Sequence, residues 1–299
     1  MTNTFQQNRK KGLAAMAACY LIWGFQPLYF AIDKSIDTAF LLACRIIWAA
    51  VCCIIILAAQ GKLSQLAEAL RSKSIMRTEL PAAILLLADW GIYLFAVRCG
   101  RVMECAMGYY IMPLVMCALG ALIFKEKIGK VHVIAICFIV VGIILSAGGF
   151  GGFPLVTILL SLCFAVYSAL KKNLDIDSIV STTLEILILV PISLLFIVFF
   201  GQGENAMGGM SFARLLFVIG SGIITGLPLV FFAIGVRHLP LSLTGILQYV
   251  SPSLGLICSL ILGEVLSQKK LISFVFIWIG VIIYAVYELK KNKKAEIKA

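Results

Sequence analysis

The sequence predicts an all-α integral membrane protein with ten transmembrane helices, arranged as two five-helix repeats of inverted topology. Three observations predict this fold class: the hydrophobic composition, ten apolar runs of membrane-spanning length, and a match between the two halves of the chain. Of the 299 residues, 62% are apolar and 13% are charged, and the mean hydropathy is +1.06. Soluble domains are about 45–50% apolar and about 25% charged, so this composition excludes a soluble or a disordered chain.

The chain carries a net charge of +11. In a soluble protein this excess would suggest nucleic acid as a partner, but in a membrane protein basic residues collect in cytoplasmic loops. We therefore predict the lipid bilayer as a partner and no nucleic acid. The ten cysteines lie in or beside apolar runs and the chain has two histidines, without the spacing of a metal site. We predict no metal and no other cofactor, and thiols that pack as small hydrophobic groups.

Ten apolar runs are long enough to cross a hydrocarbon core, which needs roughly 20 residues in a helix. The runs do not alternate in the way that barrel strands do, so helices are favoured. The longest connection, 61–79, mixes Leu63, Leu66 and Leu70 with charged residues, which predicts a short surface helix. The predicted spans are 13–32, 38–60, 80–98, 103–124, 131–149, 153–170, 178–200, 212–236, 241–263 and 270–287.

Lysine and arginine residues are distributed unevenly between alternate loops. With the N-terminus placed inside, the inner segments hold 18 of them and the outer segments hold 6. Because basic loops stay in the cytoplasm, both termini are predicted to be cytoplasmic. The two tails and the 61–79 loop contribute most of this asymmetry.

The two halves of the chain match over three consecutive predicted spans. Five is odd, so the second copy enters the membrane from the opposite face, as in many secondary transporters. We therefore predict two repeats, residues 1–150 and 151–299, with a site at their interface. Coincidence between apolar segments is the alternative. The equivalent pairs are Arg98 and Arg237, Tyr110 and Tyr249, and Pro113 and Pro252 at a shift of 139, then Glu126 and Glu264, and Gly142 and Gly280 at a shift of 138.

The repeated Tyr-x-x-Pro motif places Pro113 and Pro252 near the middle of spans four and nine. Proline removes a backbone donor and kinks a helix, and in lipid this defect is tolerated where protein or a water-lined cavity covers the freed carbonyl. We expect both prolines to bend their helices around one cavity. Ordinary helix packing is the alternative.

Three ionisable residues lie well inside predicted spans: Arg45 in span two, Asp89 in span three and Glu185 in span seven. Burying a charge at mid-bilayer costs at least about 2.5–3.5 kcal/mol on insertion scales, so such residues are functional candidates. Arg45 and Glu185 are equivalent at a shift of 140, and Arg45 could pair with Asp89 or with Glu185. A structural ion pair is the alternative to a polar lining that contacts a solute or a proton.

Other charged residues lie at predicted helix ends. Glu126 and Glu264 have lysine neighbours and are expected to be interfacial. Arg98, Arg101 and Glu104 flank a short outer turn, where we expect them to pair with one another.

Aromatic residues lie deep inside several spans rather than at the interfacial belt. An aromatic body with a polar tip suits a cavity for an amphipathic organic molecule, although plain helix packing is the alternative. The candidate substrate-binding or coupling residues are Trp23, Arg45, Trp48, Asp89, Trp90, Tyr93, Tyr110, Glu185, Gln248 and Tyr249. Several of them belong to longer motifs: LIWGFQP at 21–27, RIIW at 45–48, DWGIY at 89–93, GYYIMPL at 108–114, LEILILVP at 184–191, LPLS at 239–242, QYVSP at 248–252 and FIW at 276–278.

In their order and coverage these motifs resemble the drug/metabolite transporter superfamily with two EamA-type repeats, and within it the RarD group. The resemblance implies ten helices, a bacterial inner-membrane location and transport of small organic solutes such as drugs or metabolites. RarD-type proteins are commonly labelled chloramphenicol-resistance permeases. The family usually has asparagine at the position of Asp89, so this chain has an additional candidate for proton coupling.

The function predicted from the sequence is a permease or exporter that works by alternating access between two repeats, not an enzyme. Its predicted partners are a small organic solute and, as a candidate, the proton. A membrane-embedded enzyme and a channel are the alternatives. The loops are short for an enzyme, and the rings of charge typical of many channels are lacking.

Overall fold

The computed structural model describes residues 2–125, 129–149, 154–171, 174–200, 210–239 and 247–298. Regular structure in these ranges is helical throughout, without strands, as predicted for the all-α class. The described helices are α1 (Thr2–Phe30), α2 (Thr38–Ala59), α3 (Leu63–Arg71), α4 (Lys73–Arg98), α5 (Val102–Phe124), α6 (Lys130–Gly149), α7 (Leu155–Lys171), α8 (Ser178–Phe200), α9 (Phe212–His238), α10 (Val250–Ile261) and α11 (Gln268–Lys298).

Local sequence signals begin and end several of these helices. The Asp37 carboxylate accepts the Phe40 N–H at 2.8 Å and so caps α2, because the first N–H groups of a helix lack partners within it. Ser72 caps α4 in the same way. The turns after α2 and α4 contain Gly61 and Gly100 with φ of 67° and 69°, a conformation in which only glycine is unstrained.

The predicted short surface helix is confirmed as α3. Leu66 and Ala69 are buried, whereas Leu63 and Leu70 are exposed, so one narrow face of α3 packs against the neighbouring helices α4 and α8. Its remaining surface carries Ser64, Gln65, Glu68 and Arg71 beside the two exposed leucines, in accord with its position in a connection between spans.

Seven of the described helices are long and apolar enough to cross a membrane: α1, α2, α4, α5, α8, α9 and α11. Helices α6, α7 and α10 contain shorter apolar stretches, so the predicted count of ten spans stays a prediction. The predicted ninth span begins at 241, but residues 240–246 lie outside the described part and α10 begins at Val250. The predicted boundary between the repeats, at 150/151, also lies outside it.

The main helix pairings have counterparts when α1, α2, α4, α5 and α6 are matched in order with α7, α8, α9, α10 and α11. Helix α1 packs against α9 and α10, and α7 packs against α4 and α5. Helix α2 packs against α9, and α8 packs against α4. Three further pairings join matched helices to each other: α2 with α8, α5 with α10, and α6 with α11.

Close approach of α6 and α11 depends on glycine at two matched positions. A Cβ on Gly142 would lie 3.0 Å from the Ser273 carbonyl oxygen, and a Cβ on Gly280 would lie 2.8 Å from the Ala135 carbonyl oxygen. Each glycine therefore faces the backbone of the opposite helix, and any side chain there would push the two helices apart. Gly142 and Gly280 are the pair that the sequence match aligned.

Polar contacts tie the loops together at each end of the bundle. At one end, which we call the Asp33 end, Arg214 pairs with Asp33 at 3.0 Å. A hydrogen bond from the Ser35 hydroxyl, together with Arg214, holds the pKa of Asp33 below its usual range. At the other, the Asp177 end, Lys62 pairs with Asp177 at 2.6 Å.

Candidate functional site

Arg45 lies in α2, about 10 Å along the helix from its first residue by the rise of 1.5 Å per residue. Its guanidinium is buried between two aromatic faces, 4.7 Å from the ring centroid of Trp90 and 4.9 Å from that of Phe30. Arg45 Nε donates to the Thr225 hydroxyl at 2.7 Å, and Nη1 is buried without a hydrogen-bond partner. Cation–π attraction to these two rings, which strengthens where water is excluded, therefore stabilises the buried guanidinium.

Asp89 lies in α4, one residue before Trp90, and is buried. Its Oδ1 atom has no hydrogen-bond partner, and the side chain lies beside Tyr109. Asp89 interacts electrostatically with Arg45, but among the described residues the two form no ion pair. We call Phe30, Arg45, Asp89, Trp90 and Thr225 the Arg45 site.

Glu185 in α8 is fully buried and has a different cation as its partner. Its Oε1 atom accepts from Lys171 Nζ at 2.5 Å, and its Oε2 atom accepts from the Tyr167 hydroxyl at 3.0 Å. Lys171 Nζ also donates to the Tyr167 hydroxyl at 3.2 Å. The suggestion that Arg45 could pair with Asp89 or Glu185 is therefore wrong in both forms for this structure.

A second buried acid, Glu79, faces Glu185 and was missed by the sequence analysis. Glu79 in α4 is fully buried, accepts from the Ser181 hydroxyl through Oε1, and lies 3.9 Å from Lys171 Nζ through Oε2. The predicted spans ended just short of Glu79 and Lys171, whereas α4 begins at Lys73 and α7 continues through Lys171. We call Glu79, Tyr167, Lys171, Ser181 and Glu185 the Glu79 cluster.

The structure brings together the two tyrosines of the repeated Tyr-x-x-Pro motif. The rings of Tyr110 and Tyr249 are nearly parallel, with centroids 6.2 Å apart, and the Tyr110 hydroxyl hydrogen-bonds the Ser253 hydroxyl at 2.7 Å. The Tyr249 hydroxyl is buried without a partner. A groove of about 420 Å³ adjoins this pair, lined by Tyr110, Tyr249, Ser253, Leu256, Trp278, Val281, Ile282 and Ala285.

The two prolines occupy different positions in their helices. Pro113 lies inside α5, as expected, and the helix continues through it. Pro252 is the third residue of α10, where its missing N–H is one of those that have no partner within a helix. The predicted span 241–263 is described only from residue 247, so the expectation that Pro252 bends the middle of this span stays a prediction.

The remaining candidates are divided between three regions. Tyr93 is buried beside Phe30 in the core that adjoins the Arg45 site. Trp48, in α2 near that site, has a buried indole N–H without a partner. Trp23 lies apart from both, against Phe232 in another apolar cluster, and Gln248 lies half-buried in the turn before α10.

Near the Asp33 end, two charged side chains form hydrogen bonds with backbone groups, which the sequence did not predict. Arg101 pairs with Glu104 at 2.6 Å, as predicted, but Arg98 donates instead to the carbonyls of Asp33, Lys34 and Ile36. Glu264 accepts the N–H groups of Val102 and Met103 and so caps α5. Burial raises the pKa of Glu264, although these two hydrogen bonds oppose the shift. Glu126, its equivalent in the sequence match, lies outside the described residues.

Comparison with known proteins places the chain in one family. The sequence profile of the EamA-like transporter family matches residues 10–148 and again residues 153–286. The uncharacterized transporter YojE of Bacillus subtilis is 34% identical over 96% of this chain and 97% of its own. The protein RarD of Salmonella typhimurium is 27% identical over 96% and 99%, and the chloramphenicol-sensitive protein RarD of Pseudomonas aeruginosa is 25% identical over 91% and 93%.

A solved crystal structure of a protein that is 19% identical superposes with a TM-score of 0.64, covering 94% of this chain and 99% of that one. At this identity the similarity concerns the fold alone. The two profile matches cover most of the sequence. The relatives align with this chain over nearly their full length, and they are named transporters or RarD proteins. The chain belongs to the EamA-like transporter family, as a RarD-like member of the drug/metabolite transporter superfamily.

Proposed function

We propose that this membrane transporter is a secondary carrier of small organic solutes, which works by alternating access between two inverted five-helix repeats, residues 1–150 and 151–299. The observation that carries the proposal is the symmetric helix pairing. Each main contact of one half has a counterpart in the other, as expected for two copies related by a two-fold axis. Two such halves can close a shared site to either side in turn.

Three further observations support the two-repeat arrangement. The family profile matches the chain twice, once in each proposed repeat. Gly142 and Gly280 lie at equivalent sequence positions and each faces the backbone of the other's helix. Tyr110 and Tyr249, also equivalent, stack on each other. These reciprocal contacts are what a two-fold axis between the repeats would produce.

We propose that the solute meets the Arg45 site. Three buried polar atoms near this site have no protein partner: Arg45 Nη1, Trp48 Nε1 and Asp89 Oδ1. A buried polar group without a hydrogen bond is costly, so such atoms favour a ligand that supplies the missing partner. The faces of Phe30 and Trp90 would contact the apolar part of the same molecule.

We further propose a bacterial inner-membrane location with both termini in the cytoplasm, on the basis of the loop charges. In a cysteine-free background, a cysteine at Asn205 should react with an impermeant thiol reagent in intact cells, and a cysteine at Ala295 should not. The reverse pattern would overturn the orientation.

Solute counterflow in proteoliposomes tests the transport function itself. Vesicles loaded with unlabelled solute should transiently accumulate the labelled solute, and the flux should saturate with concentration. Chloramphenicol is the first solute to test, because one relative is named for sensitivity to it. Flux without saturation or counterflow would indicate a channel, and chemical conversion of the solute would indicate an enzyme.

A further inference from the structure

The carboxyl groups of Glu79 and Glu185 are buried close together in the interior. One of their four oxygens has no hydrogen-bond donor. Both side chains are fully buried, and both lie against one ammonium, with Lys171 Nζ 2.5 Å from Glu185 Oε1 and 3.9 Å from Glu79 Oε2. Three of their four oxygens accept a hydrogen bond, from Ser181, Tyr167 or Lys171. The fourth, Glu79 Oε2, has no hydrogen-bond partner. Ionised carboxylates are acceptors only, so this arrangement lacks one hydrogen atom.

The charge balance of the Glu79 cluster leads to the same conclusion. Among the described residues, the Lys171 ammonium is the cation in contact with both acids, at 2.5 Å from Glu185 and 3.9 Å from Glu79. Two ionised carboxylates would leave one negative charge buried without compensation, and two carboxylates that share a site resist simultaneous ionisation. One proton makes the cluster neutral.

We propose that Glu79 and Glu185 form a proton-binding site, in which one proton on Glu79 Oε2 is shared with Glu185. Glu185 then stays ionised against Lys171, and Glu79 acts as the donor that the geometry lacks. Release transfers this proton to water and leaves both acids ionised. The role of this site as a proton-binding step in solute transport rests on the function proposed above.

The described charged groups on the neighbouring helices lie away from the Glu79–Glu185 pair. Helix α2 contributes a single charged residue, Arg45, which is held in the Arg45 site. The charged residues of α3, Glu68 and Arg71, are exposed to solvent. On α4, Asp89 lies ten residues beyond Glu79, about 15 Å along the helix. Among the described side chains, the groups in contact with the pair are therefore the Lys171 ammonium and the hydroxyls of Tyr167 and Ser181.

Helices α1, α5 and α9 also pack against these elements. The described basic residues near their ends at the Asp177 side are Lys10, Lys11 and Lys125, which are exposed, and His238, which is half-buried. Glu104 and Arg214 lie at the Asp33 end.

Lys171 provides the route by which the proton reaches solvent. Its side chain is 19% exposed, whereas both acids are fully buried. Lys171 is the last residue of α7, at the Asp177 end of the bundle. The pair therefore exchanges its proton with that end in the conformation seen here.

Proton release from purified protein tests the proposal without any solute. The full chain in detergent is titrated from mildly acidic to strongly alkaline pH with an indicator dye in weak buffer. Glu79→Gln places an amide N–H where the shared proton would lie, so this variant should release one proton fewer per chain over this titration. The melting temperature of Glu79→Gln should stay close to that of the parent at neutral pH. Glu185→Gln is a second variant of the pair, in which the same proton count is measured.

Glu68→Gln on α3 is the matched control, because Glu68 is an exposed glutamate. This variant should release as many protons as the parent over the same titration, because it leaves the Glu79 cluster intact. A proton count that falls equally in Glu68→Gln, or an unchanged count in both pair variants, would overturn the shared proton. Either result would refute the proton-binding site alone and would not bear on solute counterflow. Absence of counterflow would refute transport and would not bear on the proton count.

Discussion

The Arg45 site and the Glu79 cluster occupy related positions, but different kinds of contact stabilise the buried charge in each. Arg45 and Glu185 are equivalent in the sequence match and lie at similar depths from opposite ends of the bundle. Arg45 is held by aromatic faces and one hydroxyl, and polar atoms around it remain without partners. Both Glu185 oxygens accept hydrogen bonds within the protein, one of them from a lysine, and Glu79 Oε2 is the one carboxyl oxygen of the pair without a partner.

This difference separates two roles that the sequence could not distinguish. A charge whose surroundings lack partners favours a ligand, whereas a charge that is paired within the protein contributes to structure or to proton binding. We therefore expect changes in the Glu79 cluster to affect stability most, and changes in the Arg45 site to affect solute recognition most.

The largest stability loss is expected for Lys171→Met. Removal of one partner from a buried ion pair costs roughly 3–5 kcal/mol, because the remaining charge is left uncompensated. Thermal or denaturant unfolding in detergent measures this loss, which should increase as the pH rises and the two acids ionise. Addition of Glu185→Gln should recover most of it. Unchanged stability in Lys171→Met would show that the pair is not held by this ammonium.

Arg45→Met should cost less, about 2 kcal/mol, which is the scale of a desolvated cation–π contact. No ion pair is lost, since Arg45 pairs with neither Asp89 nor Glu185 in this structure. The same unfolding assay provides the comparison, while counterflow should be abolished. A stability loss as large as that of Lys171→Met, rescued by Asp89→Asn, would indicate a structural pair instead.

A smaller effect is expected at a position outside both regions. Glu264→Ala removes the carboxylate that caps α5, and loss of a helix cap costs about 1 kcal/mol. Melting temperature should fall slightly, while solute-induced stabilisation remains that of the parent. A stability loss as large as that of Lys171→Met would contradict a role limited to capping.

The smallest effect on pH behaviour is expected for Asp89→Asn, which also restores the residue usual in the family that the sequence resembles. If the titrating group is the Glu79–Glu185 pair, this variant should keep the parent's pH dependence of counterflow, whatever its rate. Loss of uphill, pH-driven transport with survival of downhill exchange would instead identify Asp89 as the coupling acid.

The sequence predicted those features that depend on local pattern. Hydropathy identified the apolar helices, and leucine spacing among charged residues identified α3. The internal match aligned Tyr110 with Tyr249, which the structure brings into contact. The Glu79 cluster was missed because hydropathy places span ends where charges appear. A charge that folds back into the bundle, such as Lys171, is then assigned to a loop. The Thr225 partner of Arg45 depends on contact between helices far apart in sequence, which no local pattern reveals.

Solute-induced thermal stabilisation of the purified protein tests most directly whether the Arg45 site, rather than the Glu79 cluster, receives the solute. A panel of small organic solutes that includes chloramphenicol is screened on the parent, Arg45→Gln and Glu185→Gln. We predict that the solutes which raise the melting temperature of the parent still do so in Glu185→Gln and no longer do so in Arg45→Gln. Stabilisation that persists in Arg45→Gln and disappears in Glu185→Gln would contradict this account.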